Sequence, residues 1–404
     1  MKDIHSIRED FPLLATHSGN KPMVYFDTAC QSLRPRQVMD AINHYYLEES
    51  ACGGRSMHHL ASAVTRDVDL ARGILAKHLN ANRKEEIIFT RNTTEGINLV
   101  ANSLDFKAGD VVLISDKEHN SNLLPWQRLA QKSGVIVKIV PSLPDNTFDL
   151  TAYDQLLDEP VKLVSFYYTS NLDGVTIPAE EIIKKAHHQG ALVLLDAAQT
   201  APHHKINLKA LGVDFLALSG HKMLGPSGMG ILYGKYALLE KMEPFLVGGD
   251  TVSSTTYTTG EFLPPPAKFE AGLQDYAGIL GMGAAVKYLE SIGFDTIQKQ
   301  ELLLNEHLTR ETQDIEGLHL IGPSNARLRG AIFTFFIDKL DSHRIALMLD
   351  QMSNIIVRSG QHCVHSWFHA RGITSSVRAS LYFYNTLDEA DLFVTSLRKI
   401  RKVL

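Results

Sequence analysis

Seven short and almost uninterrupted apolar runs constrain this chain more than any other feature. They are IIFT (87–90), VVLIS (111–115), VIVKIV (135–140), KLVSFYY (162–168), ALVLLD (191–196), DFLALS (214–219) and GILYG (230–234). Most are too continuously apolar for a sheet with one wet face, so both faces are expected to be covered. Amphipathic stretches at 94–103, 123–132 and 179–189 lie between them. That alternation predicts an α/β fold, a mostly parallel seven-stranded sheet between helices. The pattern then changes. Residues 248–275 are rich in Gly, Thr, Ser and Pro and read as an extended loop or short hairpin. A long helical region, 276–316, leads to AIFTFFI, a helix over 342–352, IIVRSG, VRASLYFYN and a final helix. The expected division is a large domain over 20–287 and a smaller α+β domain built from 1–19 and 288–404.

At 404 residues the chain is long for one simple core, which agrees with two domains. Forty basic against 45 acidic side chains leave a net charge of −5, without the bulk positive charge of a nucleic-acid binder. No apolar stretch approaches the roughly 20 residues a membrane helix needs. The opening MKDIHSIREDFPLL carries charges where a signal peptide would have its apolar core. Three cysteines cannot build a disulfide framework in so long a chain, and a reducing cytoplasm is the expected setting.

In an open α/β sheet, ligands bind beyond the carboxyl ends of the strands. The segments there are Arg91–Glu95, Glu118–Asn122, Thr169–Asn171, Asp196–Gln199 and Ser219–Lys222, all polar. In SGHK, Lys222 follows an apolar strand and precedes the glycine-rich turn GPSGMG. Burial there would disfavour its charged form and leave an amine able to form a Schiff base. Asp196, closing the strand ALVLLD, is the carboxylate that a protonated pyridine nitrogen requires, which points to pyridoxal 5′-phosphate (PLP). TTEG (93–96) opens a helix straight after IIFT, where hydroxyls and free N–H groups suit a phosphate. Each element alone reads as a cap, a turn or a solvated lysine; their shared position on one sheet edge is what makes a site.

The segments FTRNTTEGINLVAN, SDKEHNSN, DAAQTAPH, LSGHKMLGPSGMGILY, KFEAG, RSGQHC and RASLYFYNT resemble those of PLP-dependent class V aminotransferase-fold proteins. Within these, they are similar to the group II (SufS-like) cysteine desulfurases and selenocysteine lyases, from about Tyr25 to the C-terminus. The resemblance implies a fold-type I homodimer whose large domain binds PLP and whose small domain carries a catalytic cysteine segment. It implies that Lys222 binds PLP, that His119 stacks on the ring and assists proton transfer, and that Asp196 pairs with the ring nitrogen. Gln199 would hydrogen-bond the phenolic oxygen; Thr93, Thr94, Ser219 and His221 would hold the phosphate; Asn171 and Arg378 would hold the substrate carboxylate. Cys363 would accept sulfur from L-cysteine as a persulfide and release L-alanine, attacking as thiolate with His362 or Arg358 in support. A short interval between Arg358 and Arg378 agrees with the group II branch. That branch implies delivery to a sulfur-acceptor protein or Fe-S scaffold. L-selenocysteine is the alternative substrate, while a transaminase or epimerase of the same fold would leave Cys363 without a purpose.

Some positions depart from the family pattern. Leu273 in FEAGLQD replaces a threonine whose hydroxyl would reach the phosphate of the partner subunit, and Gln274 or a backbone N–H is the expected substitute. Asn120 and Gly54 stand where histidines are usual. The resemblance puts Cys30 and Cys52 near the mouth of the site; plain packing is the simplest reading, and sulfur relay or metal ligation with Cys363 the sharper ones. His362, His365 and His369 offer a spacing uncommon for zinc, so no metal is expected.

Overall fold

The seven apolar runs form one sheet in the computed structural model, which describes residues 4–18 and 21–403. Its strands are β1 (Ile87–Thr90), β2 (Val111–Ser115), β3 (Ile136–Val140), β4 (Val161–Tyr167), β5 (Leu192–Asp196), β6 (Phe215–Ser219) and β7 (Gly230–Gly234). Their order across the sheet is β1-β7-β6-β5-β4-β2-β3. From β3 through β6 every neighbouring pair is parallel, while β7 runs antiparallel to both β6 and β1. The reversal has a local cause. A parallel return needs a crossover of a dozen residues or more, and the turn after Ser219, with Gly228 at φ +77, is too short for one. Burial on both faces holds for the central strands. The edge strand β3 departs from it, with Ile136 at 45% and Ile139 at 54% exposure.

The helices that aim side chains into the sheet edge are α1 (Thr93–Ser103) and α2 (Asn120–Ser133). Asn92 caps α1 by accepting from the Glu95 N–H, and His119 caps α2 by accepting from the Ser121 N–H through Nδ1. Next comes α3 (Ala179–His188), with Glu180 and Glu181 in its first turn and basic residues in its last, matching the helix dipole. The helical region expected over 276–316 is two helices, α4 (Tyr276–Ile292) and α5 (Phe294–Glu311). Gly293 between them, at φ +82, adopts a conformation that a side chain would strain. The polar segment before α4 holds a short exposed hairpin, Val252–Thr255 with Gly260–Phe262.

A second, wholly antiparallel sheet contains β8 (Leu318–Ile321), β9 (Ile332–Ile337), β10 (Arg358–Gly360) and β11 (Ser376–Ser380), in the order β8-β9-β11-β10. Helices α6 (Ser342–Ser353), α7 (His365–Arg371) and α8 (Leu387–Val403) accompany it. Two expected strands are shorter than their apolar patterns. IIVRSG splits, because Ile355–Ile356 pairs in parallel with Val24–Tyr25 and only Arg358–Gly360 joins the sheet. VRASLYFYN leaves the sheet after Ser380, and its aromatics pack on Phe11, with the Phe11–Tyr384 ring centres 5.0 Å apart. The expected boundary at residues 19 and 20 falls outside the described residues. Ile7, Phe11 and Leu14 belong to the core of the large sheet and Val24 and Phe26 to that of the small one, so the early chain crosses between the two.

Candidate active site

All five polar segments beyond the strand ends meet in one pocket of about 230 Å³. Thr93, Thr94, His119, Asn171, Asp196, Gln199, Ser219, His221, Lys222 and Arg378 all line it. Cys363 stands at its edge behind Arg358, whereas Cys30 is part of the lining.

Lys222 lies in a single helical turn, Gly220–Lys222, directly after β6. The turn is clamped from a distant part of the chain: Ser32 N–H and Oγ both donate to the His221 carbonyl, and Ser32 Oγ accepts from the Leu224 N–H. Burial pushes the Lys222 ammonium below its ordinary range, and the Asp196 carboxylate opposes that shift. No hydrogen bond or ion pair among the described residues engages Lys222 Nζ. Asp196, at the end of the neighbouring strand β5, is itself buried; burial raises its pKa and Lys222 pulls it back. Its Oδ1 accepts from the Ala198 N–H at 2.9 Å.

At the other end of the pocket, Thr93 sits at the start of α1. Its N–H donates to Ser219 Oγ at 2.9 Å, and the two hydroxyls lie 2.7 Å apart. Thr94 Oγ1 is 2.7 Å from Ser121 Oγ. Hydroxyls gathered at a helix N-terminus favour an anion through both the dipole and the free N–H groups. His221 is neutral, its pKa pushed down to about 4 by burial and then by Lys222 and Arg34. His119 is pushed further, to about 3, by burial and then by Lys222, Arg378 and Arg358. Since its Nδ1 accepts from Ser121, its ring proton resides on Nε2. Gln199 is fixed by donating Nε2–H to the Ala29 carbonyl at 2.8 Å.

Arg378, on β11, is 1% exposed and donates from Nη1 to the Asn171 carbonyl at 2.8 Å. Its Nε and Nη2 have no hydrogen-bond partner, and the nearest carboxylate oxygen, on Asp27, is 3.7 Å away. Burial lowers its pKa to about 10. Buried donors left open in this way await an acceptor, and a planar carboxylate is the natural one.

Of the two groups expected to support Cys363, Arg358 reaches it and His362 does not. Arg358 Nη2 donates to Cys363 Sγ at 3.6 Å, while Arg358 Nη1 donates to Cys30 Sγ at 3.2 Å. His362 is buried and turned to Ser376 Oγ at 2.9 Å, with its pKa pushed well down by burial. His362 and Cys363 both have positive φ, +49 and +62, a strain of about 1–3 kcal/mol each. The turn is held from both sides. Asn171 Nδ2 donates to the His362 carbonyl, and the Asn120 N–H to that of Cys363, each at 2.8 Å. Asn120 thus serves the cysteine segment, and its side chain meets His365 Nδ1 at 2.9 Å.

Cys52 does not line the pocket, and among the described residues no cluster of three potential metal ligands includes a cysteine. Leu273 is exposed, and Gln274 folds back onto the carbonyls of Ala271 and Gly272. The family resemblance put Cys30 near the mouth of the site, and it lines the pocket; the contacts of Ala29 and Ser32 with Gln199 and the Lys222 turn had no local signal in the sequence.

The aminotransferase class-V family model matches residues 24–393. The chain belongs to this family. Over all of its length it is 39% identical to a probable cysteine desulfurase of Xylella fastidiosa, covering 96% of that protein. A probable cysteine desulfurase of Synechocystis is 42% identical, with 97% of this chain and 94% of that protein covered. Among solved structures, the apo cysteine desulfurase of Thermococcus onnurineus superposes with a TM-score of 0.95 at 36% identity, covering 100% of this chain and 99% of that one. An S-sulfonic acid form of an Escherichia coli cysteine desulfurase gives 0.91 at 29% identity, with both chains fully covered. As a class V family member the chain has a pocket whose contents can be tested against PLP, and they fit. An unengaged lysine, a buried carboxylate on the adjacent strand and a hydroxyl-rich helix N-terminus occupy the three places such a cofactor needs.

Proposed function

We propose that this protein is a PLP-dependent cysteine desulfurase that converts L-cysteine to L-alanine and carries the sulfur as a persulfide on Cys363. The supporting observation is the conjunction in one pocket of Lys222, Asp196 and the open donors of Arg378 with a thiol held by Arg358. Lys222 and Asp196 would hold the cofactor, Thr93, Thr94, Ser219 and His221 its phosphate, Gln199 its phenolic oxygen and His119 its ring. When bound, PLP supplies an electron sink for negative charge developing at Cα.

The remaining steps belong to the chain's own side chains. Arg378, with Asn171, takes the substrate carboxylate into the two open N–H directions and so orients Cα. Lys222, whose ammonium form burial disfavours, takes the Cα proton. His119, neutral with its proton on Nε2, would assist the remaining proton transfers. Cys363 attacks the substrate sulfur, and the Arg358 guanidinium stabilises its anionic form. The persulfide then passes to a sulfur-acceptor protein, in service of Fe-S cluster assembly, and the enzyme acts as a homodimer of the group II branch.

Incubating the purified protein with L-cysteine under reductant and measuring alanine and sulfide tests this directly. Alanine without a second product keto acid supports desulfuration. Turnover confined to L-selenocysteine would instead favour the lyase, and pyruvate or racemised amino acid would overturn both.

A further inference from the structure

Arg358 divides its two terminal nitrogens between two sulfurs that are far apart in sequence. Cys30 reaches it from the segment after Val24–Tyr25, and Cys363 from the turn after β10. Two features separate this from chance packing of a thiol. Cys30 lines the cofactor pocket together with Lys222 and Arg378. The segment that bears it is also fixed at the site: the Ala29 N–H donates to Ser380 Oγ, the Ala29 carbonyl accepts from Gln199, and Ser32 clamps the Lys222 turn. A group so held, with a guanidinium N–H on its sulfur, presents a nucleophile rather than a filler.

We propose that Cys30 is a second sulfur-carrying residue, which exchanges persulfide sulfur with Cys363 across Arg358. The proposal rests on the desulfurase reading, since Cys363 must first be loaded. In the exchange the Cys30 thiolate attacks the outer sulfur of the Cys363 persulfide. A new S–S bond forms at Cys30 as the old one breaks, and its electron pair stays on Cys363 as thiolate. The transferred sulfur keeps its proton and its oxidation state, so no oxidant or reductant takes part. A persulfide extends its outer sulfur by about 2 Å beyond Sγ, towards the partner thiol on the other end of the guanidinium. Arg358 stabilises the attacking anion and the leaving anion alike. The pocket thus stores sulfur at two depths, one beside the cofactor and one on the turn leading to α7.

The test is alkylation trapping and peptide mass spectrometry of the holoenzyme, loaded in one arm with L-cysteine and in the other with inorganic polysulfide. Wild-type protein is expected to carry persulfide on both Cys363 and Cys30. Cys363→Ser should reduce the Cys30 persulfide at least tenfold in both arms, and Arg358→Gln, which also slows loading of Cys363, should lower the ratio of Cys30 to Cys363 persulfide. Persulfide on Cys363 alone in the wild type, or Cys30 labelling that Cys363→Ser leaves undiminished, overturns the exchange. Failure of the cysteine arm alone, with no alanine formed, would overturn the desulfurase reading, and the polysulfide arm would still decide the exchange.

Discussion

Arg358 and Arg378 face each other directly across β10 and β11, as Cα partners in the antiparallel register. Like charges in that relation repel, and residues directly opposite share a face of the sheet. Burial above all, with Arg358 adding to it and Asp27 opposing, lowers the pKa of Arg378. The pair is sustained by anions and dipoles placed on it: Asp27 and the Asn171 carbonyl for Arg378, the two sulfurs for Arg358. Donors remain open on Arg378, and two positive groups side by side suit a substrate carboxylate beside an attacking thiolate.

Arg378→Met should therefore weaken the use of substrate more than it weakens the fold. A charge-assisted hydrogen bond contributes about 1.5–3 kcal/mol, so kcat/KM for cysteine should fall by about 10- to 100-fold. Arg378→Lys should recover only part of it, because an ammonium lacks the planar fork. Steady-state kinetics of both variants check this; an unchanged KM in Arg378→Met would remove the carboxylate role.

Lys222→Ala should abolish turnover and remove the visible absorbance of lysine-bound cofactor, leaving any PLP non-covalently held. Asp196→Ala should lower kcat more than it lowers cofactor affinity, since the carboxylate acts on charge that develops in the transition state. Absorbance titration with PLP, set beside turnover, separates the two variants. Equal losses of affinity and rate in Asp196→Ala would contradict its proposed part.

The His119 ring, held at about 3, should stay neutral throughout the physiological range. Its folded pKa lies below the ordinary 6.5, so between those values the unfolded chain binds more protons at this site. The stability of cofactor-free wild type relative to His119→Gln should accordingly rise with pH from about 3 to 6.5 and level off above it. Denaturant unfolding of both proteins across that range measures the difference. A gap independent of pH would mean that the imidazole titrates normally.

Gly230 ties the fold to the phosphate end of the pocket. A Cβ there would lie 2.5 Å from the Leu218 carbonyl oxygen and 2.7 Å from Asn92 Cα. Gly230→Ala should destabilise the protein by about 1–3 kcal/mol through overpacking. Because Asn92 caps α1, PLP should also bind less tightly. Unfolding and cofactor titration that both match wild type would show that the strand yields without disturbing the helix.

The sheet and most of the pocket were legible in the amino-acid order because both follow from local pattern. Continuous apolar runs announce strands covered on both faces. The residue after such a run, Asp196 or Ser219 for example, falls at the carboxyl edge wherever the strand lies in the sheet. Helix starts are equally local, since Asn92 and the threonines after it satisfy N–H groups within one turn. What lies across a strand pair or between distant loops has no local signature. Register is set by the packing of whole elements, and a slip of one residue would turn Arg358 away from Arg378 and from both thiols. Cys30 and Cys52 looked alike in sequence as small residues near expected site segments. Only the pairing of Val24–Tyr25 with Ile355–Ile356, which draws the early chain to the small sheet, put one of them in the pocket and left the other outside. The chain order thus determined the strands, their edge and the lysine; tertiary contacts between residues hundreds of positions apart decided which thiol and which arginine meet there.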